Sequence, residues 1–235
     1  MDRMSKQKFN IIVVVDNSKS MQGSRIDQVN AAIHDIVEYL QELQVENSNI
    51  DFYLSILTFS TLAKWNDGKE GQNVNNYKFT PIKAKGYSNL HLAYKELNEV
   101  LIKESQGGIM PDFGGVAPII LLLSDGHPTN GPIKEELEKL RTKPWFKVAL
   151  KYGIAIELND KRTIQVLRDF VSGNGDVIQV YNSNLLRQII KIIVLTASKV
   201  KSKSSNIQTE SKETVNEEII QEVQTVLNEV DDWEW

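Results

Sequence analysis

The chain has 235 residues, enough for one full-sized domain with length to spare. Hydrophobic residues make up 41 % and charged residues 25 %, a globular mixture, and a net charge of −4 offers no basic footprint for nucleic acid. The absence of cysteine excludes disulfides, thiolate zinc sites and cysteine nucleophiles, and fits a reducing compartment.

The opening MDRMSKQKFN carries bases but leads into an apolar run too short for a signal peptide, and no run reaches the ~18 residues of a membrane span. The expectation is a cytoplasmic protein. FNIIVVVD then reads as a strand buried on both faces. After the turn SKSMQG, the residues Ile26, Val29, Ile33, Ile36, Val37, Leu40 and Leu43 recur at helical spacing. DFYLSILTFS alternates as a strand, with a hairpin partner around AKWN. A polar loop from Asn66 to Tyr77 follows, then a second helix from Asn89 to Ser105. APIILLLSD is another buried strand. PIKEELEKLRT reads as a short helix with Pro132 in its first turn, VALKYGIAIEL as a strand, TIQVLRDFVSG as a helix closed by Gly173, and DVIQVY as a strand. SNLLRQIIKIIVLTAS is the last helix of this series. Alternating strands and helices predict an α/β fold: a doubly wound, mostly parallel central sheet with helices on both faces.

The sequence divides into three parts: a domain over 7–198, a Ser/Lys-rich flexible linker over 199–213, and an acidic amphipathic helix over 214–235. In the last part Ile219, Val223, Val226, Val230 and Trp233 form one apolar seam, and five Glu and two Asp with no Lys or Arg give a charge of −7. An isolated helix of this length is marginal in water. It reads as a docking segment, against the alternative of a solvated acidic end.

Candidate chemistry gathers where strands end. Asp16, Ser18 and Ser20 follow the first strand as D-x-S-x-S, and Asp125 ends the strand APIILLLSD. Ser88 precedes a helix in GYSNL. In open α/β sheets such loops build sites beyond the carboxyl ends of the strands. Carboxylates and hydroxyls alone, without nitrogen or sulfur, suit Mg²⁺, Mn²⁺ or Ca²⁺. Taken singly, each residue also reads as a turn or capping group. His127 reads as a loop residue near the site, His34 and His91 as helix residues, Thr129 as a loop support, and Tyr87 as a rim or packing aromatic.

The order Asp16-x-Ser18-x-Ser20, then Ser88, then Asp125-Gly126 resembles the metal-ion-dependent adhesion site of the von Willebrand factor A domain family. The resemblance covers roughly residues 7 to 198. Within that family VVVDNSKSMQGSRIDQVNAAI, LTFS and LLLSDGHPTN look most like the bacterial tellurium-resistance (TerY-like) group. The resemblance implies that Ser18, Ser20 and Ser88 ligate a divalent ion through hydroxyl oxygens. It implies that Asp16 and Asp125 lie in or just outside the first shell, and that a partner's Asp or Glu takes the open position. It further implies no catalysis and a stress or defence module with kinase-like and phosphatase-like partners. Ser88 departs from the family, which usually carries Thr there, and KAKGYS lacks the usual glycine pair. Two other readings stand beside it. A Mg²⁺-dependent phosphoryl-transfer hydrolase would need a second acid where Ser18 stands. A metal-independent scaffold would act through its tail, which is also expected to dock on its own domain, a partner or a neighbouring copy.

Overall fold

The apolar runs become strands of one sheet because each is covered on both sides. In the computed structural model, which describes residues 6–113, 115–126, 128, 131–158, 161–172, 176–203 and 212–231, the strands are β1 (Gln7–Asp16), β2 (Ile50–Phe59), β3 (Ala63–Trp65), β4 (Gln72–Asn73), β5 (Ile119–Ser124), β6 (Leu150–Ile156) and β7 (Val177–Val180). The sheet runs β3-β2-β1-β5-β6-β7, with β4 also paired to β2. β2, β1, β5, β6 and β7 are mutually parallel, and β3 and β4 add antiparallel to β2. The hairpin expected around AKWN is β3. This is the doubly wound α/β sheet that the alternation of segments predicts.

The helices are α1 (Ser24–Glu46), α2 (Leu90–Val100), α3 (Ile133–Thr142), α4 (Pro144–Val148), α5 (Lys161–Val171), α6 (Ser183–Lys203) and α7 (Lys212–Asp231). Successive strand residues point to opposite faces. Ile11, Val13 and Val15 of β1, with Ile119, Leu121 and Leu123 of β5, face the layer of α1, α6 and α7. Ile12, Val14, Ile120 and Leu122 face α2, α3, α4 and α5. All seven apolar positions expected on the first helix are buried on α1.

Several expected boundaries shift: the polar loop contains β4, and α6 and α7 extend into the stretch expected as a linker, to Lys203 and from Lys212. The second helix ends at Val100 rather than Ser105, because the chain turns back there. Ile109 N–H donates to Val100 O at 3.0 Å and Met110 N–H to Ile102 O at 3.1 Å. That reversal brings Ile109 and Met110 into the second core. The strand expected from Val148 begins at Leu150, because Pro144 opens the short helix α4. Lys151 is buried inside β6. Its ammonium donates to Phe146 O at 3.0 Å and Ala149 O at 3.4 Å, carbonyls at the end of α4, and lies 4.8 Å from the Phe146 ring centroid.

Helix α6 continues to Lys203, and α7 folds back along it. Val215, Ile219 and Val223 are buried against the α1/α6 core. Tyr152 Oη donates to Asn216 Oδ1 at 2.6 Å, and Thr196 Oγ1 to Glu222 Oε2 at 3.0 Å. Of the tail's apolar seam, Ile219, Val223 and Val226 therefore pack against the chain's own core. Trp233 lies outside the described residues. No helix among the described residues is long and apolar enough to cross a membrane.

Candidate functional site

Strand β1 lies at the point where chain direction across the sheet reverses, with β2 on one side and β5 on the other. Loops leaving β1 and β5 diverge there and leave a crevice above the strand ends. Three loops close over it. The first follows Asp16: Asn17 N–H stays bonded to Phe59 O at 2.9 Å, and a short 3-10 turn over Lys19–Met21 follows, anchored by the buried Met21.

The second loop precedes α2. It is tied to the first by Lys85 N–H to Asn17 O at 2.7 Å and Lys19 N–H to Gly86 O at 3.0 Å. Gly86 has φ +76, and a Cβ there would stand 2.3 Å from Thr61 Oγ1. Only glycine combines that backbone with so close an approach. The third loop follows β5. Gly131, at φ +102, lies against the His91 ring, where a Cβ would fall 2.1 Å from Nδ1. His91 thus packs against Gly131.

The five residues singled out in the sequence meet in one hydrogen-bonded cluster. Asp16 Oδ2 accepts from Ser88 Oγ and from Ser124 Oγ, each at 2.9 Å, and Asp16 Oδ1 accepts from Ser18 N–H at 2.9 Å. Ser18 Oγ and Ser20 Oγ are 3.1 Å apart, and Ser20 Oγ donates to Asp125 Oδ1 at 2.8 Å. Asp16, Ser18, Ser88 and Asp125 are buried, while Ser20 is exposed and opens the cluster to solvent.

Among the described residues no basic side chain pairs with Asp16. Burial pushes its carboxyl above the usual range, although hydrogen bonds from Ser18, Ser88 and Ser124 oppose the shift. A buried carboxylate that only neutral donors contact, ringed by hydroxyl oxygens, fits a hard divalent cation. The cation would supply the charge that burial leaves uncompensated.

Asp125, unlike Asp16, has a basic partner. Arg25 Nη1 donates to Asp125 Oδ2 at 2.5 Å, and Arg25 Nε to Glu157 Oε2 at 3.1 Å. These bonds raise the Arg25 pKa against its own partial burial, the largest single influence.

Sequence reasoning did not find Ser124, Arg25 or Glu157. Ser124 carried a signal, a hydroxyl ending an apolar strand beside Asp125. Arg25 reads as an ordinary helix residue, and Glu157 is 132 positions from it. Tyr87, 66 % exposed, stands on the rim beside Ser88. His127 and Thr129 lie outside the described residues. His34 is on the exposed face of α1 with Asp35 and Glu38, away from the cluster. A cleft of about 360 Å³ between α7 and β7 is lined by none of the cluster residues.

The family profile of the von Willebrand factor type A domain matches residues 10–192. Inter-alpha-trypsin inhibitor heavy chain H4 of Bos taurus is 31 % identical over 136 residues, covering 55 % of this chain and 14 % of that protein. Heavy chain H6 of Homo sapiens is 32 % identical over 130 residues, covering 52 % of this chain and 9 % of its own length. The chain thus spans only a small part of these curated relatives. A von Willebrand factor type A structure from Catenulispora acidiphila superposes with a TM-score of 0.60 at 11 % identity, covering 82 % of this chain and 43 % of that one. Proximal thread matrix protein 1 from the mussel byssus, described with a zinc-occupied MIDAS motif, gives 0.57 at 18 % identity, covering 83 % and 48 %. These structures share the fold. The chain belongs to the von Willebrand factor type A domain family.

Proposed function

We propose that this chain is a divalent-ion-dependent protein-binding module. Domains of its family are typically metal-dependent interaction modules. Ser18, Ser20 and Ser88 would hold the ion through hydroxyl oxygens, with Asp16 and Asp125 beside them balancing its charge. Mg²⁺ or Mn²⁺ suits this all-oxygen set, and Ca²⁺ is the next choice. The bound ion supplies an open position for an Asp or Glu of a partner protein. The observation that carries the reading is the convergence of three loops on Asp16, a buried carboxylate that among the described residues meets only hydroxyls and an amide. No catalytic role is assigned, because Ser18 stands where a phosphoryl-transfer enzyme would need an acid. The bacterial tellurium-resistance or stress module with kinase-like and phosphatase-like partners follows from the sequence resemblance, and the cytoplasmic setting from the short apolar runs of the sequence.

Affinity capture from the native cell, with and without EDTA, tests this. Wild type is expected to retain proteins that are lost on chelation and equally lost by Ser18→Ala/Ser20→Ala. A retained set indifferent to both would make the chain a metal-independent scaffold.

A further inference from the structure

We propose that Arg25 and Glu157 form a charged couple that positions Asp125 and sets the balance of the site between cation and anion. The inference rests on reading the cluster as a divalent-ion site. Its basis is a chain of contacts linking α1 to the ends of β5 and β6.

Arg25 Nη1 donates to Asp125 Oδ2 at 2.5 Å and also approaches Ser20 O at 3.3 Å. One Asp125 oxygen is thereby occupied, and the other is left to the Ser20 hydroxyl. The Asp125 side chain is fully buried, whereas Arg25 keeps 32 % of its side-chain surface. Glu157 anchors the guanidinium from the other side through Nε, and Gln28 Nε2 holds the second Glu157 oxygen at 2.5 Å. Glu157 has φ +49, the one positive value at a non-glycine residue among the described residues. Its N–H donates to Val180 O at 2.7 Å. Such a backbone conformation persists where its surroundings hold it, as the two partners of the carboxylate do here.

The charges follow simply. Asp16 and Asp125 together balance a dication. Arg25 adds a positive charge next to them, which opposes the cation and favours an incoming carboxylate. Glu157 offsets that charge and fixes where it sits. At the effective dielectric of a protein surface, and allowing for screening, one such charge changes a binding constant roughly tenfold. The couple thus exchanges some grip on the ion for grip on the partner's acid.

The test uses the full chain with Mn²⁺ by calorimetry, then acetate added to the Mn²⁺-loaded protein, read as loss of water-proton relaxation. Arg25→Gln is expected to hold Mn²⁺ as tightly as wild type or up to about tenfold tighter, while capturing acetate about tenfold more weakly. Glu157→Gln is expected to move both quantities the opposite way. Arg25→Lys, which keeps the charge without the two-branched contact, should stay closer to wild type in acetate capture than Arg25→Gln. Parallel losses of Mn²⁺ and acetate in both neutral variants, or no change in either, would overturn the couple and leave the metal site standing. A wild type that takes up no Mn²⁺ would overturn both.

Discussion

Asp16→Asn is expected to weaken Mn²⁺ binding by at least about 100-fold while leaving the ion-free protein within about 1 kcal/mol of wild type. Loss of a supporting group alone costs a metal site ~10–100-fold, and Asp16 gathers three of the cluster's groups. The stability half of the result follows from burial. An ionised carboxylate at 0 % exposure lacks water, and burial outweighs its hydrogen bonds in setting the direction of its pKa shift. A neutral amide of nearly equal volume removes that cost and can still accept from Ser88 and Ser124, against the loss of the bond from Ser18 N–H, which its NH2 cannot accept. A wild type saturated at ~100 times its dissociation constant gains about 2.7 kcal/mol from the ion, and a variant weakened 100-fold gains at most about 0.4 kcal/mol at the same concentration. Titration calorimetry and thermal melts with and without Mn²⁺ read both effects. A variant that melts well below ion-free wild type would show Asp16 to be a structural group first.

The second large effect lies far from the site. Phe170→Ala is expected to cost about 3–5 kcal/mol in urea unfolding and to change Mn²⁺ affinity little. Phe170 is fully buried on α5. Its ring stacks on Tyr94 of α2 at 5.9 Å and meets Phe146 of α4 edge-on at 5.6 Å. It is thus where three helices covering one face of the sheet join, and truncation leaves a cavity that these aromatic neighbours cannot close. A loss under about 1 kcal/mol would mean that the second layer is loosely packed.

How much of this was legible depended on how locally each feature is encoded. FNIIVVVD, APIILLLSD and VALKYGIAIEL announced themselves because parallel strands are covered on both faces and are therefore mostly apolar. Asp16, Ser18, Ser20 and Asp125 stood out because oxygen donors interrupt those runs where the strands end. Features set by contact between distant segments were not legible. The end of α2 at Val100 depends on Ile109 and Met110 returning beneath it, while Leu101 and Ile102 continue an apolar pattern past the turn. Arg25 gains its meaning only from Asp125 and Glu157, 100 and 132 positions away. One apolar seam on α7 shows that a partner surface exists, and only the fold shows that this chain's own α6 and Tyr152 supply it.

The central claim is that a hard cation is held where the three loops meet. Anomalous diffraction from crystals soaked in Mn²⁺ tests it most directly. A peak bounded by the hydroxyls of Ser18, Ser20 and Ser88, lost in Asp16→Asn, is the expected result. A peak confined to His34, Asp35 and Glu38 of α1, or no peak in crystals whose loops stay free of neighbours, would contradict it.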